Sequence, residues 1–310
     1  MKHTSRGRAM RPHWHAFVLL LLCTLGIPSS DAMAKPLRIV ASFSILGDWV
    51  KAVAGHNVNL TVLVGADSDA HVFEPRPKHV RITASADLIF VNGLGYESWL
   101  QRLIQASGTS AKVVELSAGA ELIEFANVAA VGGHEVDPHA WHDVRNSMVY
   151  VRNIAASMCT KDPQSCDGFK RNAARYIAEL QVLHLDIKAA LAKLPMRNPV
   201  AVSPHDSFGY FSLAYGVQFI AVKGLSTEAH ASARDVARLI DKVRSHSAHG
   251  LFLENISDPR LLQQISRETK VQPGGALFSD ALSAADGDAP TYIAMMRHNV
   301  RTLVQGLAPQ

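Results

Sequence analysis

The chain has 310 residues, 48% of them hydrophobic and 19% charged, and a formal net charge of +4 at pH 7. Residues 1–34 contain four basic side chains and one acidic side chain, a net +3, so the remaining residues carry only +1. This remainder offers no basic surface for nucleic acid, which we exclude as a partner. Its length fits two lobes better than one modest core.

The N-terminus has the layout of a signal peptide for export. Four basic residues open the chain, and the apolar run 16–27 is too short to span a bilayer. Ala32 and Ala34 place small residues where a signal peptidase reads them. We therefore expect a signal peptide over residues 1–34, cleavage after Ala34 and a mature protein in the periplasm. An uncleaved membrane anchor is the alternative.

The three cysteines indicate an exported protein without a lipid anchor. Leu22 precedes Cys23, where a lipoprotein signal has a small residue. Once the signal is removed, Cys159 and Cys166 are the only pair, and an oxidising compartment favours a disulfide between them. Two free thiols are the alternative. A cysteine zinc site is disfavoured because no partner stands at ligand spacing.

Two parts of the chain follow the same plan of strands and helices. The apolar run Arg38–Ser42 predicts a buried strand, and a helical segment follows it and ends at Gly55. Pro199–Ser203 and a helix ending at Gly216 repeat this pattern 161 positions later. Further matched pairs are the strands Asn59–Val64 and Gln218–Val222, the helices Pro77–Ala86 and Ala233–Ser245, and the strands Leu88–Asn92 and Leu251–Asn255. Alternating strands and helices predict βαβ units with parallel sheets.

A long helix is predicted between the two repeats. Apolar residues recur at helical spacing over residues 166–194, and a proline follows. A helix of about 25 residues is about 38 Å long, enough to reach both lobes and to limit hinge motion. The predicted fold class is therefore α/β. Two similar lobes with parallel sheets, residues 35–165 and 196–310, are joined by one long rigid helix over 166–195, with a cleft between them.

Four segments place a metal-binding side chain near the predicted end of a strand or in a loop. The side chains are those of His71, His139, His205 and Asp280. Because ligands of parallel α/β sheets bind outside the carboxyl ends of the strands, we expect two of the four from each lobe to meet in the cleft. Three imidazoles and one carboxylate complete a tetrahedral zinc shell and leave no open position. Such a closed site predicts metal holding, not metal catalysis.

Each of these residues also has a simpler interpretation. His71 fits a turn histidine, and His205 fits a loop residue hydrogen-bonded to Asp206. Asp280 fits the N-cap of a helix that begins at Ala281. The rivals of His139 within its own segment are Asp137, His142 and Asp143. No pair has the tight spacing of the His-Glu-x-x-His motif of metalloproteases, so spacing alone is a weak signal.

Four motifs resemble the metal-binding family of solute-binding proteins of ABC transporters, the zinc and manganese receptors of bacterial uptake systems. They are His-Val-Phe-Glu-Pro at 71–75, Asp-Pro-His-Ala-Trp at 137–141, His-Asp-Ser-Phe-Gly-Tyr-Phe at 205–211 and Asp-Ala-Leu-Ser at 280–283. The segments 92–100 and 224–228 are also similar, and the resemblance runs in order from Leu37 to the C-terminus. It implies His71, His139, His205 and Asp280 as the metal ligands.

The third ligand position separates the lineages of this family. Manganese receptors often have a carboxylate there and zinc receptors a histidine, and here the residue is His205. Imidazole suits zinc, whereas manganese prefers more oxygen donors. We therefore expect Zn²⁺ as the cargo, with Mn²⁺ the weaker candidate. The resemblance implies a receptor that is not an enzyme and that delivers metal to the membrane permease of an ABC transporter. We expect a monomer, with a periplasmic zinc chaperone as a further candidate partner.

Three alternatives stay open. The first is a manganese or iron receptor of the same family. The second is an exported zinc hydrolase, which would need an open coordination position and a general base near the metal. The third is a surface adhesin on the same scaffold, which would need anchoring.

Two features depart from the zinc receptors of the family. The loop Ala126–Asp137 is short and offers few metal-binding side chains, among them His134. His142 stands where the family usually has an apolar residue, and we interpret it as a spare histidine or a group behind the ligands. Carboxylates behind the ligands would orient the imidazoles. The candidates for that role are Glu228, Asp206 and Glu254.

Overall fold

The computed structural model describes residues 1–3, 35–56, 58–125, 135–228, 233–245 and 248–308. Residues 4–34 of the predicted signal peptide, which include Cys23 and Ala34 at the predicted cleavage site, lie outside these residues, and so does His134. Residues Pro36–Gln310 form one compact unit. Within the described part of the chain, every helix is too short or too polar to cross a membrane.

The first half is a parallel four-stranded sheet with the strand order β2-β1-β3-β4. Its strands are continuous apolar runs at the centre of the sheet, as in parallel sheets that are covered on both faces. All four residues of β3 are buried. The elements are β1 Leu37–Phe43, α1 Ser44–Ala54, β2 Val58–Val64, α2 Pro77–Ala84, β3 Leu88–Val91, α3 Leu100–Ser107 and β4 Lys112–Glu115.

The second half repeats this sheet with the strand order β6-β5-β7-β8, again all parallel. The connection from the first half is a short 3-10 helix, Ala140–His142, followed by α4 Val144–Lys161 and α5 Cys166–Leu191. The later elements are β5 Val200–Ser203, α6 Gly209–Tyr215, β6 Gln218–Ala221, α7 Ala233–Ser245, β7 Gly250–Glu254, α8 Arg260–Thr269, β8 Pro273–Leu277 and α9 Tyr292–Leu307. The shared strand order confirms the predicted α/β fold of two similar lobes.

The long helix α5 contacts both halves. It has 26 residues and so is about 39 Å long. It packs against α1 and α4, which precede it in the sequence, and against α6 and α9, which follow it. The helix ends at Leu191, earlier than the predicted 195. After Leu191 the N–H groups of Lys193 and Leu194 form tighter i to i−3 hydrogen bonds, and Pro195, which lacks an N–H, cannot continue the helix.

The two halves share part of their core. One large cluster of buried side chains extends from the first sheet through α5 to Phe208, Phe211, Leu277 and Tyr292 of the second half. A smaller cluster lies between β5, β7 and the helices α7 and α8. Because side chains of both halves interdigitate in one core, separating them would expose apolar surface to water. This restricts the halves to small relative motions.

The predicted disulfide between Cys159 and Cys166 is present. It joins the end of α4 to the start of α5. Helix α4 continues to Lys161, two residues past Cys159. That helix begins at Val144, where the Asp143 side chain accepts a hydrogen bond from the Arg145 N–H and caps it.

Replacing both cysteines by serine should lower the free energy of unfolding by about 2.5 kcal/mol, since the bridge closes only a short loop in the unfolded chain. Urea unfolding in the presence of a chelator measures this loss without the stabilising effect of bound metal. The parent protein treated with a reductant is the control and should show the same loss. Equal unfolding midpoints for the oxidised parent and the double variant would contradict this expectation.

Candidate metal centre

The structure brings the four predicted ligand side chains together in a buried cluster. Their candidate donor atoms all lie within 4.8 Å of one another. The Nε2 atoms of His71 and His205 lie 3.1 and 3.2 Å from Oδ2 of Asp280. His139 Nε2 lies 3.4 Å from His71 Nε2 and 3.9 Å from Asp280 Oδ1. Tetrahedral zinc with bonds of about 2.0–2.1 Å separates its donors by about 3.3–3.4 Å, so this spacing fits such an ion.

The ends of parallel strands and the loops after them position these side chains. His71 lies in the loop after β2, and His205 follows β5 by two residues. Asp280 follows β8 by three residues. His139 comes from the connection ahead of the 3-10 helix. The carboxyl ends of strands from both halves therefore face one centre, as in other parallel α/β sheets that bind ligands.

Residues that lie far away in sequence hold the segment before Asp280. The Phe278 N–H donates to Oδ1 of Asn299 on α9, and Asn299 Nδ2 donates to the Phe278 carbonyl. The indole of Trp141 donates to the Ser279 carbonyl over 3.0 Å. The interpretation of Asp280 as a helix cap is wrong, since the next helix begins only at Tyr292. The carboxylate is thereby left to face the imidazoles.

Carboxylates behind two of the histidines fix the imidazole rings. Nδ1 of His139 lies 2.8 Å from Oδ1 of Asp137, and Nδ1 of His205 is hydrogen-bonded to Glu254. An ionised carboxylate only accepts hydrogen bonds, so Nδ1 is the nitrogen that holds the proton. The lone pair of each Nε2 is then directed at the centre. Metal-binding histidines usually have such partners.

The centre is built to attract a cation. His205 Nε2 and both carboxylate oxygens of Asp280 are buried, and none has a partner with hydrogen-bond geometry among the described residues. Burial alone would raise the pKa of Asp280, but the imidazoles of His205 and His139 hold it well below its usual range. Burial alone would lower the pKa of His205, but Glu254 and Asp280 raise it well above its usual range. Lone pairs that converge without partners are stabilised by a positive ion between them.

Of the three carboxylates considered for a role behind the ligands, only Glu254 contacts an imidazole in the described part of the chain. Glu228 instead accepts a hydrogen bond from Ser98 near the surface.

Asp137, which the sequence also offered as a rival ligand, is instead the hydrogen-bond partner of His139. It also accepts from the His139 N–H over 2.9 Å, an arrangement in which an Asp side chain bonds the backbone two residues on. The Asp-Pro-His sequence, with the carboxylate two residues before the histidine, was the feature that could have indicated this role.

His142 makes no hydrogen bond through its ring to any of the four candidate ligands. Its ring is fully buried and packs against Phe208 at a centroid distance of 4.7 Å. Neither ring nitrogen has a hydrogen-bond partner among the described residues. Burial lowers the pKa of His142 to about 3, so the ring is neutral at physiological pH. Its interpretation as a group that orients a ligand gains no support from these contacts.

Hydrogen bonds join the two halves beside the centre. Thr227 Oγ1 in the second half donates to Asp69 Oδ2 over 2.6 Å, and Asp69 Oδ1 accepts from the His71 N–H over 2.9 Å. Nearby, Asn255 Nδ2 donates to Asp67 Oδ1 over 2.9 Å. The loop that carries His71 is therefore fastened to the opposite half, which keeps the cleft closed over the cluster.

The fold and the site together define a metal-binding solute receptor: two parallel α/β halves, one long helix along both, and a buried cluster of three imidazoles and a carboxylate in the cleft. Comparison with known families agrees. Residues 39–306 match the model of the ZnuA family, described as the zinc-uptake complex component A, periplasmic. The chain belongs to this family of periplasmic metal-binding solute-binding proteins of ABC transporters.

Named relatives cover nearly the whole chain. The manganese ABC transporter substrate-binding lipoprotein PsaA of Streptococcus pneumoniae is 30% identical over 294 residues, which is 93% of this chain and 94% of that protein. The manganese-binding lipoprotein MntA of Halalkalibacterium halodurans is 32% identical over 272 residues, 88% of this chain and 89% of that protein.

Solved structures show the same fold. The periplasmic zinc-binding protein TroA from Treponema pallidum has a TM-score of 0.82 at 30% identity, covering 89% of this chain and 100% of that one. A manganese-bound periplasmic metal-binding protein from Candidatus Liberibacter asiaticus has a TM-score of 0.77 at 26% identity, covering 87% of this chain and 98% of that one. The chain is thus a receptor that works with the membrane permease and the ATPase of an ABC transporter.

Proposed function

We propose that this chain is a zinc receptor that acts in the periplasm and delivers Zn²⁺ to its permease, with His71, His139, His205 and Asp280 as the four ligands. The observation that carries the proposal is the third imidazole. His205 is held by Glu254 with its Nε2 directed at the other donors. Three nitrogen donors and one oxygen donor favour zinc over manganese.

The architecture gives each part of the chain a role in this proposal. Residues 1–34 would be a signal peptide that is cleaved after Ala34. Residues 35–165 and 196–310 would be the two lobes, and 166–195 the rigid connection between them. The mature receptor would be a monomer, and a periplasmic chaperone is a candidate source of its zinc. Four protein ligands would leave no position for a reactive water, which argues against the hydrolase alternative.

Manganese is the second candidate cargo, favoured by the names of the curated relatives PsaA and MntA. The family description and the TroA structure name zinc instead. Metal analysis of protein purified from periplasm, followed by titration of the metal-free protein with each ion, separates the two. We expect one zinc per chain and tighter binding of zinc than of manganese. Bound manganese, with equal or tighter binding of that ion, would refute the zinc proposal.

Zinc affinity is expected to fall as the pH decreases. In the metal-free protein Glu254 and Asp280 raise the pKa of His205 well above its usual range despite burial, so a proton occupies the site near neutral pH. Zinc must displace that proton, which competes more strongly with the metal as the pH falls. The dissociation constant should rise about tenfold per pH unit for each proton displaced. Competition titrations between about pH 5.5 and pH 8 measure this slope, and a constant affinity would contradict it.

A further inference from the structure

The carboxylate of Asp137 is enclosed between a ligand of the first half and a helix of the second. Its Oδ1 accepts from Nδ1 and from the backbone N–H of His139, over 2.8 and 2.9 Å. Its Oδ2 faces the Cα of Gly209, the first residue of α6. A Cβ added to Gly209 would lie 2.6 Å from that oxygen, closer than real Cβ contacts occur. The glycine is therefore required for space beside Asp137.

The residue after this glycine holds the backbone of the same aspartate. Tyr210 is buried, and its hydroxyl donates to the Asp137 carbonyl over 2.7 Å. The same hydroxyl accepts from the Ile123 N–H over 3.1 Å. Asp137 in turn donates its N–H to the Ile123 carbonyl over 2.9 Å. The Tyr210 hydroxyl therefore joins the backbones of Ile123 and Asp137 in one hydrogen-bond network beside His139.

We propose that Gly209 and Tyr210 are positioning residues for His139, acting through Asp137. The inference rests on the proposed function, because it assigns His139 as a ligand. The start of α6 belongs to the second half, whereas Asp137 and His139 come from the first. Gly209 leaves the space that the Asp137 carboxylate needs to reach His139, and the Tyr210 hydroxyl holds the Asp137 backbone. The orientation of one ligand of the first half therefore depends on how α6 of the second half packs against it.

The first test is Gly209→Ala. The added methyl group displaces the Asp137 carboxylate, and loss of a partner behind a metal-binding histidine costs about 10–100-fold in metal affinity. Gly224→Ala is the matched control in the same half, because a Cβ there meets nothing within 4 Å. It should bind zinc like the parent. Tyr210→Phe keeps the ring but removes the hydroxyl and both of its hydrogen bonds, so we expect a smaller loss of affinity.

A double-mutant cycle separates positioning from a general folding defect. Asp137→Ala removes the carboxylate, so Gly209→Ala should cost no further affinity in that background. An equal loss from Gly209→Ala with and without Asp137 would overturn the proposal. So would parent-like zinc binding by Gly209→Ala.

Running the cycle with both Zn²⁺ and Mn²⁺ separates this inference from the zinc assignment. A parent that prefers Mn²⁺ would refute zinc as the cargo. The dependence of Gly209→Ala on Asp137 would still test the role of α6 with that ion. A parent that binds neither ion overturns both proposals.

Discussion

His205→Ala is expected to weaken zinc binding by more than about 100-fold, beyond the loss caused by removing a partner behind a ligand. The substitution removes one of four donor atoms. It also leaves Glu254, whose side chain is fully buried, without the imidazole to which it is hydrogen-bonded. A buried carboxylate that loses its imidazole partner is costly, so the remaining site should also be less well ordered. Competition with a chromophoric zinc chelator of known affinity measures the loss.

The control for this substitution is His56→Ala. His56 is exposed and lies between α1 and β2, away from the ligand cluster. Its removal takes away one imidazole of the chain without touching the proposed site, so zinc affinity should stay at the parent value. Thermal unfolding of the metal-free variants checks that each is folded before titration. Parent-like zinc binding by a folded His205→Ala variant would show that the ligand assignment is wrong.

Much of the fold could be predicted from local sequence. The helix Ala233–Ser245 was predicted with both of its ends. The strand predicted as Arg38–Ser42 is one residue shorter at each end than the observed one, and the strand predicted as Leu88–Asn92 is one residue longer at its C-terminal end. Buried parallel strands are short continuous apolar runs, and amphipathic helices repeat their apolar residues every three to four positions. Both signals lie within a few residues. The match between the two halves adds a long-range expectation, which the shared strand order confirms.

The cluster of candidate metal ligands could not be predicted from local sequence patterns alone. His71 and His139 are 68 residues apart, and no local pattern requires their side chains to meet. The resemblance to a family of metal receptors supplied the choice of these four residues. The environment of Asp280 shows why pattern alone was insufficient. An Asp before Ala-Leu-Ser suits a helix cap, but the hydrogen bonds of Phe278 with Asn299 hold the segment before it.

The partners of the ligands were predictable only in part. Glu254 lies at the end of β7, beside β5, after which His205 follows, so the parallel pairing places the two together. In the sequence, Asp206 and Glu228 were equally plausible carboxylate partners of the histidines, but neither contacts an imidazole in the described residues. The role of Gly209 depends on a contact between segments about 70 residues apart in the two halves. The need for a glycine at such a contact produces no periodic pattern in the sequence.

The double substitution His205→Glu with Glu254→Gln is expected to reduce the preference for zinc over manganese by about tenfold or more. Glutamate reaches about as far as histidine and replaces a nitrogen donor by an oxygen donor. Manganese forms the weakest complexes of the divalent series at nitrogen sites and is better served by carboxylates. The second change is needed because Glu254 lies in hydrogen-bond contact with residue 205, and two buried carboxylates there would repel each other.

Titration of each metal-free variant with Zn²⁺ and with Mn²⁺ gives the ratio of the two dissociation constants. Glu254→Gln alone is the control, because it keeps all four donor atoms and changes only the partner of His205. It should weaken both ions to a similar extent and leave their ratio near that of the parent. In the double variant zinc should lose more affinity than manganese, because the donor atom itself has changed. An unchanged ratio would mean that residue 205 does not determine which metal the receptor carries.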